Sequence, residues 1–493
     1  MPELSLLPRQ TLMGDAPAMD TLTTPEWRPP SREVRQDASV TRHERVARIL
    51  ASGALVLVAV KPLLDIGEKG GSSGLDLGVL ITTLGAMCMF AALAVVSLGA
   101  RRLPHRALLL IAAGLALLLV LTAVSYLAAS ARADLLSLFD VRRYSIYGPA
   151  QEPASAIPAE AMRLVVGFAP IALLGLMLMR RDWFPVRRLA LVAAVVVAAA
   201  VVHCVLAWLQ VAGVYPYSFH FELANYEKIG RASGGYYHPM SLGRLLMFSV
   251  FLVYVFGDRI RAPFAVRYGL IGLFMATGVV SLHRFTILCL GVIVAAFEAR
   301  RLLTMVRARR VGGGVNRRAA LAVCGALAAV VAVAGALWGG AIWRRAEVTL
   351  TEVGSLDVRS DTFMHGRGAI WNDVVEIFGR SPVDVWLLGF GYEPWDMHND
   401  LLRVMVIWGI VGVVVTAAVL VGLYRFVNAR VTRAGRPAVA LLFAILVIFG
   451  LTQKPLAYPY FLWLFFLGQM AVLAVHPRAD SGEPTPSESE PTQ

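Results

Sequence analysis

Long apolar runs separated by short polar intervals dominate the chain. The runs lie near 46–64, 77–99, 107–129, 161–179, 189–212, 240–256, 268–282, 285–299, 319–341, 401–423, 438–452 and 458–475. A helix needs about 20 apolar residues to cross a bilayer, and tilt or local thinning accommodates the shorter runs. The pattern therefore predicts an all-α polytopic membrane protein with about twelve transmembrane helices. Composition agrees: 57% of the 493 residues are hydrophobic and 16% charged, with a mean hydropathy of +0.65. So apolar a chain leaves no room for a large separate catalytic domain.

The polar intervals alternate in character. One set is short and arginine-rich, with Arg101, Arg102 and Arg106, then Arg180, Arg181, Arg187 and Arg188, then Arg259, Arg261 and Arg267, and later Arg300 to Arg318 and Arg425 to Arg436. Positive charge next to spans marks the cytoplasmic side. The other set, 130–160, 213–239 and 342–400, is longer and carries Tyr, Trp, Pro and Gly, and is expected to face outward. The net charge of +13 is thus a matter of orientation, and no nucleic-acid partner is expected. Residues 1–45 and 476–493 have disordered compositions and are placed in the cytoplasm, with 46–475 as the membrane domain. Cys88, Cys204, Cys289 and Cys324 all fall in apolar runs without paired spacing, which points to core or lipid-facing positions.

The 342–400 interval is expected to form a small external helical domain. Its stretch from Gly366 to Phe378 predicts an amphipathic helix with Ile370, Trp371, Val374, Val375 and Phe378 on one face.

Three outward stretches carry candidate chemistry. In G-R-A-S-G-G-Y-Y-H-P-M from Gly230, a glycine pair permits a tight turn and Pro239 opens the next helix, so Arg231 projects at the membrane surface. It can grip a phosphate with two parallel hydrogen bonds, although lipid headgroups would suit it as well. In V-V-S-L-H-R-F-T-I-L from Val279, Arg284 stands at the mouth of two apolar helices. There it either binds an anion or snorkels to the interface. The third comprises G-R-G-A-I-W from Gly366 and L-L-G-F-G-Y-E-P-W-D-M-H-N-D-L-L from Leu387. It delivers His398 and Asn399 to a helix start, where an imidazole can accept a proton near neutral pH.

Together, over about 190–425, these stretches resemble the O-antigen ligase and polymerase family. The most specific part is Gly366-Arg367 with Ile370-Trp371, then Ser381-Pro382, Gly389-Phe390-Gly391, His398-Asn399 with Leu402, Gly409-Ile410 and Gly412. Arg231, Gly234 and His238-Pro239 resemble the family's external arginine motif, and Arg284 falls where the family has a second arginine. Met240 replaces a usual Asn, His283 a frequent Ser, and Trp408 a common acidic residue.

The resemblance implies a GT-C-like membrane glycosyltransferase of the bacterial inner membrane, working at its outer, periplasmic face. Such an enzyme takes a glycan from a polyprenyl diphosphate carrier and joins it, with inversion and without metal or other cofactor, to a glycan or lipid-core hydroxyl acceptor. It implies His398 as the base, Arg231, Arg284 and Arg367 on the diphosphate, and Asn399, His238 and Gly391 in support. Polymerases form the larger share of such sequences, which favours a repeat-unit polymerase over a ligase acting on a lipid A-core. A transporter would carry ionisable residues within its spans, of which Arg244 and His203 are the chief examples. A metal-dependent transferase would draw on Asp396, His398 and Asp400.

Overall fold

The computed structural model describes residues 42–66, 77–100, 106–131, 153–216, 231–310 and 367–478, apart from 237, 258, 261 and 395, together with the isolated positions 134, 325, 339, 340, 343 and 347. Both termini, most of the 319–341 run including Cys324, and much of the 130–160, 213–239 and 342–400 intervals lie outside the described residues, as do the side chains of Arg367 and of 305–310.

The described residues are largely helical and contain no β-strand. In order they form α1 (Arg42–Leu64), α2 (Leu77–Ala100), α3 (Arg106–Ser130), α4 (Pro153–Phe168), α5 (Pro170–Met179), α6 (Val186–Val211), α7 (Pro239–Gly257), α8 (Phe264–Val280), α9 (Arg284–Arg310), α10 (Arg367–Arg380), α11 (Val383–Leu388), α12 (Asp400–Arg430), α13 (Arg436–Gly450) and α14 (Pro459–Val475). Among the described residues, seven helices are long and apolar enough to cross a membrane: α1, α2, α3, α4 with α5, α6, α7 and α12. The apolar helices α8, α13 and α14 are shorter. Each expected run other than 319–341 coincides with a helix.

Proline sets several boundaries. Pro170 breaks α4 from α5, Pro185 caps α6, and Pro459 opens α14, in keeping with a residue that lacks an N–H and has a fixed φ. α7 is the most enclosed of the long helices and touches α6, α8, α9 and α14. Its glycine Gly243 lets α9 approach so closely that a Cβ there would lie 1.8 Å from Thr286 Oγ1.

The helix expected from Gly366 forms as α10, with one change of face. Ile370, Val374, Ile377 and Phe378 are buried, whereas Val375 is 64% exposed. Positions 370, 374, 377 and 378 follow the three- and four-residue spacing of one stripe, and 375 lies about 100° away from 374. With Val385, Phe390 and Met397 they form a small core against Ala129 at the end of α3 and Val406 in α12. Of the cysteines, Cys204 and Cys289 are buried and Cys88 is partly so.

A kink in α12 seats the glycine-rich segment. Gly409 has φ +62°, which frees the carbonyls of Val406 and Ile407; these accept hydrogen bonds from the Phe390 and Gly391 amides at 2.7 and 2.8 Å. Gly391 itself has φ +81°, and a Cβ on it would lie 2.5 Å from the Tyr126 amide nitrogen. Trp408 donates to Thr122 Oγ1 at 2.8 Å. The glycines separated in sequence thus meet at one junction of α3, α11 and α12.

Candidate functional site

The start of α7, the α8–α9 turn, the start of α12 and the α13–α14 connection gather at one end of the bundle. The arginine-rich side is at the other end, where Arg180 pairs with Glu44 and Arg259 donates to the Val475 carbonyl.

The 231–236 loop is held by the end of α6. Gln210 Oε1 accepts from the Ser233 and Gly234 amides, each at 2.9 Å, and Gly234 takes φ +63° to allow it. His203 Nδ1 accepts from the Gly235 amide at 3.1 Å, so its Nε2 carries the proton donated to the Pro62 carbonyl at 2.8 Å. His203 is therefore a neutral structural residue that stacks on Tyr236 at 4.0 Å. This frame places Arg231 against the α8–α9 turn, where its Nε donates to the Ser281 carbonyl at 3.5 Å and the neighbouring Ala232 amide donates to Val280.

Arg284 opens α9 three residues beyond Ser281, so the two arginines of the sequence motifs share one turn. The turn is built locally. Leu282 has φ +48°, and buried His283 accepts from the Thr286 amide through Nδ1 at 3.2 Å. His283 thus caps α9. His238 does the same for α7, accepting the Met240 amide at 3.0 Å. Both are positioned as structural caps.

The third stretch surrounds a buried ionic network. Lys454 Nζ lies 2.9 Å from each Glu393 oxygen and 3.3 Å from Asp396 Oδ1. Arg403 Nε donates to Glu393 at 3.2 Å, and its Nη2 joins Glu160, which also takes Arg163 at 2.5 Å. Glu393 further accepts the Met397 amide, and Trp371 of α10 donates to the Met397 carbonyl. Asn399 caps α12 by accepting the Leu402 amide at 3.0 Å, and its Nδ2 donates to the Leu451 carbonyl at 2.8 Å.

His398 sits in this frame with φ +49°, an uncommon conformation for a residue with a side chain. Its amide donates to Asp396 Oδ1 at 3.0 Å, and its Nδ1 lies 3.4 Å from the same oxygen. Burial pushes the Asp396 carboxyl up, but Lys454, His398 and the His398 amide outweigh it and hold the carboxyl down at about 2. Asp396 is thus an anion at neutral pH. Burial likewise works against the Lys454 ammonium, and Glu393 and Asp396 reverse this, raising it above its ordinary value. An ionised carboxylate beside Nδ1 favours the tautomer with its proton there and Nε2 as the basic nitrogen.

The arginine turn and the histidine segment are linked through rings. His283 lies 6.0 Å from Phe449, Phe449 lies 5.9 Å from the Arg244 guanidinium, and Arg244 lies 3.5 Å over Tyr458, four residues beyond Lys454. Among the sequence candidates, then, Arg231 and Arg284 come together, His398 and Asn399 come together, and Gly391 stands apart as part of the α3–α12 junction. Arg367 begins α10, and its side chain lies outside the described residues. Sequence reasoning missed Glu160, Glu393, Arg403 and Lys454; the signal available was charge inside or beside apolar runs. Asp396 and Asp400, considered above as metal ligands, engage protein groups instead: Asp396 faces Lys454 and His398, and Asp400 Oδ2 accepts the Leu456 amide at 2.9 Å.

No family model, curated protein or solved structure matches the chain.

Proposed function

We propose that this chain is a multi-pass inverting glycosyltransferase of the bacterial inner membrane, related in its motifs to O-antigen ligases and polymerases. It takes a glycan from a polyprenyl diphosphate at the outer face and passes it to a hydroxyl acceptor without metal. The observation that carries the reading is the pairing of His398 with ionised Asp396 at the bundle end where Arg231 meets the turn bearing Arg284.

The chemistry follows from those groups. The acceptor oxygen attacks the anomeric carbon as the bond from that carbon to the diphosphate oxygen breaks, and the acceptor proton passes to Nε2 of His398. The departing diphosphate gains negative charge, which Arg231 and Arg284 stabilise, with Arg367 as a further contact. Arginine cannot serve as the base, since it stays protonated. Asp396 stabilises the imidazolium that forms, as the acidic member of a histidine–carboxylate pair does. The carrier's lipid tail remains among the helices while its diphosphate lies at headgroup level.

The preferred acceptor is another carrier-linked repeat, making the enzyme a polymerase. Glycan size in a deletion strain tests this. Single repeats attached to the surface acceptor support polymerase; long carrier-linked chains left unattached support ligase. Surface glycan of unchanged amount and length would contradict the proposal.

A further inference from the structure

Arg244 is assigned no part in the reaction above, yet it is the most conspicuous charge within the enclosed helix α7. It is 8% exposed, and its Nε and Nη2 are buried with no hydrogen-bond partner among the described residues. Buried guanidinium donors are rarely left so, because an unmet buried polar group is costly. Two other orphaned atoms lie in its electrostatic neighbourhood: the Tyr236 hydroxyl and Asp400 Oδ1.

The surroundings favour an anion at Arg244. Asp396, in electrostatic range, is engaged by Lys454, and one Asp400 oxygen is engaged by the Leu456 amide, so neither meets the orphaned guanidinium edge. Burial lifts the Tyr236 phenol well above its ordinary value, leaving it a neutral O–H donor. The edge formed by Nε and Nη2 has the spacing that holds two oxygens of a phosphate or carboxylate at once. Tyr236 and Arg244 both flank the short loop that also carries Arg231, so an anion held there lies on the path between the arginine turn and His398.

We infer that Arg244, assisted by the Tyr236 hydroxyl, is the innermost phosphate-binding element of the site and takes the carrier's diphosphate. This rests on the glycosyltransferase reading above. It adds a binding residue that the external arginine motifs do not include, placed one turn inside α7.

The test uses purified full-length protein in detergent, with polyprenyl diphosphate as the probe and the shift in thermal midpoint as the readout. Wild type and His398→Ala should both be stabilised, since the histidine acts on the acceptor. Arg244→Gln should bind roughly 30-fold or more weakly, the cost of removing one member of a buried charge pair. Arg244→Lys, which keeps the charge and serves if the glutamine variant does not fold, should lose affinity through loss of the fork. Wild-type affinity in either variant overturns the assignment while leaving the glycosyltransferase reading intact. Absence of any shift in wild type overturns both. Phosphatidylglycerol in place of the carrier should give no shift; an equal shift would make Arg244 a headgroup site and refute its role with diphosphate.

Discussion

Removing the Lys454 ammonium tests the ionic network that fixes the histidine segment. Lys454→Met keeps nearly the same length and removes a charge 2.9 Å from both Glu393 oxygens and 3.3 Å from Asp396. Breaking a buried ion pair from one side costs about 3–5 kcal/mol, because the surviving charge is left in a poorly solvating place. Glu393 keeps Arg403 and the Met397 amide, so the lower end, about 3 kcal/mol, is expected. That is about two orders of magnitude in the folding equilibrium. Unfolding by SDS titration of the detergent-solubilised protein measures it. The double variant Lys454→Met, Glu393→Gln should cost less than the sum of the single changes, with coupling of about 0.5–3 kcal/mol.

The same substitution carries a pH signature. Asp396 sits at about 2 in the folded chain, below the ordinary aspartate value of about 3.9. Its stabilising contribution is therefore full above the ordinary value and is lost as pH falls through about 2. Since Lys454 is the chief charge holding that carboxyl down, Lys454→Met returns the carboxyl toward its ordinary value and should lose less stability than wild type as pH falls from about 4 to about 2. Wild-type stability in Lys454→Met, or strict additivity in the double variant, would refute the network as described.

Other expectations follow from individual positions. Gly391→Ala forces a Cβ to within 2.8 Å of the Thr122 carbonyl oxygen at φ +81°, so it should destabilise by more than the roughly 1–3 kcal/mol typical of backbone strain, as a lowered thermal midpoint would show. Arg231→Lys and Arg284→Lys should keep more transfer activity than the alanine variants yet well below wild type, since lysine lacks the planar fork; full activity in Arg284→Ala would make that residue an interfacial one.

Among the described residues the helices follow the unbroken apolar runs, and the sequence reading failed where charge lies inside a helix. The fourth span was expected to begin at 161, but α4 starts at Pro153, because Glu160 and Arg163 are satisfied by each other and by Arg403. A charged pair in a linear pattern looks like a loop, and only the fold reveals its partner 243 residues away. Lys454 and Glu393, 61 residues apart, were hidden for the same reason. Asp396 and Asp400 alternate around His398 in a way that also suits a metal, and it took the placement of Lys454 and Leu456 to show which protein groups they meet. In contrast, the glycines from 389 to 412 were singled out as a group, and their backbone angles and close approaches give the physical reason.

The central claim is that His398 is the base of a metal-free transfer from a polyprenyl diphosphate, and single-turnover transfer by purified protein tests it most directly. Wild type should transfer the glycan equally well with and without EDTA, with the rate falling as acid protonates the imidazole. His398→Ala should fold and bind donor yet transfer at least about 10²-fold more slowly, as expected for loss of a general base. A fully active His398→Ala, or activity abolished by EDTA and restored by Mg²⁺ or Mn²⁺, would contradict the account.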